Sequence, residues 1–143
     1  MAATPSFVKQ GSKTEVEEGL QFQPRFDSQG LIPAIVSDWE SGEVVMFAWM
    51  NATALQATIT SGQAHFWSRS RKVQWRKGEE SGNTLRVREM RTDCDQDVVW
   101  LRVTVEGDGL GCHTNRTTCF YRILKTGSDQ DEQNLTFVAS ADP

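Results

Sequence analysis

The stretch Val98–Val105 constrains the fold more than any other part of the chain. Side chains alternate across a strand, so Val99, Leu101, Val103 and Val105 share one face while Arg102 and Thr104 take the other, the period-two signal of a half-buried strand. Leu31–Val36 and Glu43–Met50 are likewise rich in β-branched and aromatic residues. The turn-forming residues Asp38–Gly42 lie between them, which predicts a hairpin. Ala64–Trp67 reads as a further strand, and Cys119–Leu124 is expected to be the last core strand. One helix is expected. Asn51 suits its N-cap, because an asparagine side chain can accept from a free N–H of the first turn. Leu55 and Ile59 would share its buried face, and Gly62 suits the left-handed residue that ends it. Arg69–Asn83 is charged and glycine-containing, and is expected as a long loop. The class is α+β, mainly β, with a mixed or antiparallel sheet and one short helix.

A chain of 143 residues fits one domain. Residues 1–18 are polar and without periodicity and are expected as a flexible N-terminal tail. The domain then spans 19–125. Residues 126–143, polar apart from Leu135–Val138, form a C-terminal extension. The net charge of −4 argues against a general nucleic-acid binder. The longest apolar run, Val44–Met50, is far short of the roughly 20 residues that span a bilayer. The first residues lack the basic start and apolar stretch of a secretory signal. Three cysteines make a disulfide framework a poor fit, so a cytoplasmic, reducing location is expected.

Cys94, Cys112 and Cys119 fall within 26 residues. Three thiolates can hold zinc and leave its fourth position open, the arrangement of catalytic rather than structural sites. Their spacing is not that of a zinc knuckle, and three buried cysteines acting as small hydrophobes would be the plain alternative. The neighbours favour metal chemistry. Asp93, Asp95 and Asp97 alternate around Cys94. On an extended segment the three carboxylates would face one way and Cys94 the other. Oxygen ligands at this density suit Mg²⁺; the plain alternative is a solvated turn. A calcium loop is excluded by Val98 at the sixth position and Thr104 at the twelfth. His113 follows Cys112 and would be either a fourth ligand or a proton shuttle. Zinc with three thiolates carries a formal −1 charge and acidifies water less than a three-histidine site would, which favours the shuttle. His65 lies inside a strand pattern and is given a structural role.

Between Trp67 and Lys77 the chain places Trp67, Ser68, Arg69, Ser70, Arg71 and Lys72, then Trp75, Arg76 and Lys77. Guanidinium forks match phosphate oxygens, and indoles offer a stacking face. The segment could hold a nucleotide or single-stranded RNA, or be a solvated loop anchored by its tryptophans.

The segments GLIPAIVSD (30–38), SGEVVMFAWMN (41–51), HFWSRSR (65–71), WRKGEESGN (75–83), RTDCDQD (91–97) and GCHTNRTTCFYR (111–122) together resemble the phosphoribosyl-AMP cyclohydrolase family over roughly residues 19–123. The resemblance implies hydrolysis of the N1–C6 bond of N1-(5-phosphoribosyl)-AMP, the third step of histidine biosynthesis. It implies a compact, mostly β, pseudo-barrel-like fold and a homodimer. It further implies zinc held by Cys94, Cys112 and Cys119, with ligands drawn from both subunits, and Mg²⁺ at Asp93, Asp95 and Asp97. On the mechanism expected, His113 would move a proton, Arg69, Arg71 and Lys77 would hold phosphates, Trp67 or Trp75 would flank the base, and Ser68 and Ser70 would complete the substrate-binding segment. Some relatives continue into a pyrophosphatase domain. This sequence runs only 21 residues past Arg122, so the cyclohydrolase activity alone is expected. Two other readings compete: a zinc-stapled RNA-binding module, and a dimeric relative that has lost turnover. The acidic charge and the three-thiolate count oppose the first. The intact cysteines, aspartates and histidine oppose the second.

Overall fold

The computed structural model describes residues 4–127 and 133–139. The N-terminal segment expected as a mobile tail carries a six-residue helix, α1 (Lys13–Glu18), started by the Ser12 side chain accepting from Glu15 N–H and stopped at Gly19. Its Val16 is buried, and Phe7 packs at 5.9 Å against both Phe22 and Phe26. The described residues therefore hold two helices where one was expected.

The predicted hairpin is present as β1 (Leu31–Asp38) and β2 (Val44–Asn51), in register from Leu31↔Asn51 to Val36↔Met46. The predicted helix follows as α2 (Ala52–Ser61). The Asn51 side chain accepts from Ala54 N–H at 2.8 Å, and Gly62 closes the helix at φ 72°. Leu55 is fully buried, but Ile59 remains 44% exposed, so the pair does not share the core face. The inner position is taken by Thr58, whose hydroxyl donates to Ala54 C=O at 2.9 Å and accepts from His65 N–H at 3.0 Å. That bond ties α2 to β3 (His65–Ser68). The segment expected as one long loop contains β4 (Val73–Arg76), paired antiparallel with β3. β5 (Leu85–Thr92) was not anticipated; its Val87/Glu89 bulge breaks the alternation that would have announced it. β6 (Val99–Val105) is the strand that the alternation predicted, with Val99, Leu101 and Val103 fully buried.

These six strands form one mixed sheet in the order β4-β3-β2-β1-β6-β5, with β1 and β6 parallel and the other pairs antiparallel. Bonds from Ala64 N–H to Leu85 C=O and from Val87 N–H to Gly62 C=O join the segment before β3 to β5, curling the sheet into a half-closed barrel. The core fills its concave side with Ile32, Val36, Met50, Leu55, Phe66 and Leu101 among others. The convex side carries Ile35, Phe47, Trp49 and Trp100, with Ile35 36% and Phe47 47% exposed.

Cys119–Leu124 is not a core strand. Only Arg122–Leu124 (β7) is extended, and it pairs with β8 (Leu135–Phe137) in a separate two-stranded sheet whose residues are exposed. The rest of the expected extension, residues 128–132 and 140–143, lies outside the described residues. No helix among the described residues is long and apolar enough to cross a membrane.

Candidate active site

The aspartates sit in the turn joining β5 to β6. Gln96 enters the left-handed region at φ 55°, Asp93 C=O accepts from Gln96 N–H at 3.1 Å, and the Asp93 carboxylate accepts from Asp97 N–H at 3.1 Å. The N-terminal segment clamps this turn. The buried Gln96 side chain donates to Val16 C=O at 3.0 Å and accepts from Gln23 N–H at 2.7 Å, and Gln10 donates to Asp95 C=O at 2.8 Å. The backbone is a turn, not the extended segment expected, so Cys94 does not point away from the carboxylates. One ligand atom each from Asp93, Cys94 and Asp95 lies within 4.8 Å of the others.

The three carboxyl groups of this turn shift one another's ionisation. Desolvation, then hydrogen bonding with Asp95 and Asp93, pushes Asp97 up to about 6. Asp95 is held below its ordinary value by hydrogen bonds with Asp93 and Asp97 and, more weakly, by the Arg25 charge. A divalent cation would displace the Asp97 proton, so its affinity should be flat above pH 6 and fall as pH drops through 6. The loss approaches about tenfold per pH unit if one proton is exchanged. Mg²⁺ titrations at pH 5 and 7.5 check this; equal affinities would contradict it.

The other two cysteines lie in the loop after β6. Cys119 N–H donates to Val45 C=O at 2.7 Å and the Thr118 hydroxyl to Val44 C=O at 2.6 Å, hanging the loop on β2. Cys112 N–H donates to Arg116 C=O at 3.0 Å, and Asn115 turns the chain at φ 64°. The two thiols are close enough to shift each other's ionisation. Burial pushes the Cys112 thiol up, but the Thr114 hydroxyl (3.1 Å from its sulfur), the Thr114 N–H, the Cys119 thiol and the Lys77 charge together hold it below its ordinary value. Desolvation, then the Cys112 sulfur, pushes Cys119 up to about 11. The two sulfurs, one held below and the other above the ordinary thiol range, are a pair of soft donors that a cation would complete. Thr114 was missed in the sequence, where only its place two residues after Cys112 marks it.

Gly111 makes this loop possible. A Cβ there would lie 2.3 Å from Val45 Cγ1 and 2.7 Å from Thr117 C=O. Gly111→Ala should push the thiol loop off β2 and lower metal affinity at least about tenfold, with the sheet intact. Metal content and circular dichroism together check this.

The three cysteines do not meet within one chain. The thiol pair hangs from β2, while Cys94 is on the β5–β6 turn beyond β1, and adjacent strands lie about 4.8 Å apart. Among the described residues, Asp93, Cys94 and Asp95 form the one group of three potential ligands within reach of each other.

The basic segment is divided between two places. Arg71 and Lys77 line a cleft of about 410 Å³ with Trp75, Arg76, Glu79 and His113. Lys77 also acts on both thiols of the pair. Trp67 and Arg69 belong to the convex face instead: Trp67 pairs with Trp49 across β2–β3, and the Arg69 guanidinium lies 4.8 Å from the Trp49 ring centre. Ser68 and Ser70 shape the turn between β3 and β4, with Ser68 accepting from Arg71 N–H at 3.2 Å. His65 is structural, its Nδ1 2.8 Å from Gln63 C=O.

The family model for phosphoribosyl-AMP cyclohydrolase matches residues 46–121, which include both halves of this thiol arrangement and the acidic turn. The chain belongs to that family. It is 55% identical over 131 residues to the phosphoribosyl-AMP cyclohydrolase of Brucella canis, covering 91% of this chain and 92% of the relative. The Sinorhizobium fredii cyclohydrolase is 57% identical over 124 residues, covering 87% and 82%. That of Brucella abortus is 60% identical over 116 residues, covering 80% and 84%. As a member of this family of hydrolases of histidine biosynthesis, the chain carries its candidate metal ligands in the turn between β5 and β6 and in the loop that follows β6.

Proposed function

We propose that this chain opens the adenine ring of N1-(5-phosphoribosyl)-AMP at the N1–C6 bond, as a cytosolic zinc hydrolase acting in the third step of histidine biosynthesis. The observation that carries the proposal is the loop that hangs Cys112 and Cys119 from β2 beside the cleft lined by His113, Arg71 and Lys77. The donor set fits zinc: Cys112 and Cys119 would bind through one copy and Cys94 through a second. The acidic turn fits Mg²⁺, with hard oxygens from Asp93, Asp95 and Asp97. Zinc held by three thiolates would supply an acidified water at its open position.

The chain's own residues do the rest. Arg71 and Lys77 would take a phosphate, and Trp67 and Arg69 would flank the nucleotide, with Ser68 and Ser70 setting their turn. His113, exposed at the cleft, would accept a proton from the attacking water and return it to N1. The water oxygen bonds to C6 and becomes the carboxamide oxygen as its second proton passes to the exocyclic nitrogen, which stays on C6, and the C6–N1 electrons return to N1. The product is the phosphoribosyl-formimino-AICAR ribonucleotide. Attack at C6 has a parallel in the zinc adenine deaminases, where the exocyclic nitrogen leaves instead.

A homodimer would bring the separated thiols together at one zinc. The exposed apolar residues Ile35 and Phe47 on the convex face support it. The functional unit expected at 19–125 would take in residues 10–18 too, since Gln10 and Val16 bond the acidic turn.

A spectrophotometric assay of ring opening, with and without a zinc chelator, tests the reading. Turnover that vanishes with chelator and returns with zinc supports it; no turnover from a folded, zinc-loaded dimer overturns it. His113→Ala should slow turnover roughly 10²–10⁴-fold with zinc retained. Loss of zinc in that variant would make His113 a ligand instead.

A further inference from the structure

A second cleft, of about 520 Å³, opens on the convex face beside the acidic turn; of its lining only Asp97 has a role in the mechanism above. Its walls are Arg25, Leu31, Pro33, Trp49 and Asp97. The volume lies in the range of small-molecule sites, about 300–1,000 Å³. Arg25 is exposed, and among the described residues its guanidinium makes no hydrogen bond or ion pair. Asp27, also at the rim, is occupied locally: one carboxylate oxygen accepts from Gln29 N–H at 2.8 Å and Leu31 N–H at 2.9 Å. Trp49 is held by the Arg69 guanidinium and by the Phe47 ring edge-on at 5.6 Å. The cleft thus combines a flat apolar wall with an exposed guanidinium that makes no hydrogen bond among the described residues and whose charge reaches Asp95 only weakly, the chemistry that receives a sugar face and a phosphate monoester.

The proposed substrate has two ribose 5-phosphate arms, on opposite sides of its purine. The His113 cleft adjoins Cys112 and Cys119 and has cations for one. The Arg25 cleft shares Asp97 with the turn bearing Cys94. Bringing Cys94 of one copy to the thiol pair of another therefore brings the two clefts toward a common centre. We infer that the cleft between Arg25 and Trp49 holds one ribose 5-phosphate arm of the substrate, while the His113 cleft of the second copy holds the other. This rests on the ring-opening reading and on the two-copy metal site.

The probe is ribose 5-phosphate, titrated into metal-loaded dimer while the indole N–H resonances are followed by NMR; Trp49→Phe identifies the Trp49 signal. That signal should move with ribose 5-phosphate and not with ribose. Arg25→Gln should weaken the response about tenfold, the loss of one charge-assisted hydrogen bond, and Arg25→Lys should recover part of it. The Arg25→Gln KM for phosphoribosyl-AMP should rise about tenfold with kcat within about twofold, the mark of lost uniform binding. A Trp49 signal indifferent to ribose 5-phosphate, or an unchanged KM in Arg25→Gln, overturns the subsite. An Arg25-dependent shift in a protein without turnover would uphold the subsite and defeat the ring-opening reading.

Discussion

Cys112→Ser is expected to remove zinc and turnover together, lowering kcat by roughly a thousandfold or more, because the pKa drop that metal confers on water is lost with it. Cys112 is the thiol of the pair held below its ordinary pKa, with the Thr114 hydroxyl 3.1 Å from its sulfur and the Lys77 charge nearby. Metal binds the thiolate, not the thiol, and of the pair Cys112 is the thiol held toward that form. Serine fills nearly the same volume but does not ionise near neutral pH. Cys112 is 6% exposed, and its backbone bond to Arg116 does not depend on the side chain. The sheet should therefore survive, and circular dichroism should match the parent while metal analysis shows no zinc. Undiminished turnover from such a zinc-free variant would remove the metal from the mechanism altogether.

The parts of the fold that could be read from sequence are those whose signals are local. Asn51 and Gly62 bracket α2 because one side chain and one left-handed residue are enough to start and stop a helix. Val99, Leu101 and Val103 announce β6 because a central strand buries one face without interruption. β5 escaped because Arg86, Arg88 and Arg91 alternate irregularly past the Val87/Glu89 bulge, and Glu89 with Arg91 and Arg102 makes ion pairs on the convex face. β4 escaped because four residues between charged turns are too few to show a period. CFYRIL looked like core because it is apolar, yet Thr118 and Cys119 spend their bonds on β2 before it and leave β7 outside. At the site, the residue types were legible and their arrangement was not. Cys94 joins Asp93 and Asp95 because Gln96 turns the chain at φ 55°, a conformation that no spacing rule shows. Arg25 and Trp49 reach the acidic turn only through the tertiary fold.

Mixing two inactive variants is expected to restore activity. Cys94→Ser keeps the thiol pair, and Cys112→Ser keeps Cys94, so each homodimer alone should lack a complete zinc site. In a mixed dimer one composite site receives Cys94 from the Cys112→Ser chain and Cys112 with Cys119 from the Cys94→Ser chain. That site is whole; the other lacks both residues. With random pairing half of the dimers are mixed and one of their two sites works, so co-expressed or co-refolded protein should reach about a quarter of wild-type turnover and zinc content. The physical basis is the separation within one chain. Zinc–sulfur bonds of about 2.3 Å require the sulfurs to crowd one point, whereas Cys94 gathers with Asp93 and Asp95 on the β5–β6 turn and the thiol pair hangs from β2. If a single chain supplied all three ligands, each variant would spoil its own site regardless of its partner, and the mixture would stay as inactive as its components. Recovery that rises with the mixed fraction, in zinc and in turnover alike, would locate the metal between two copies of this chain.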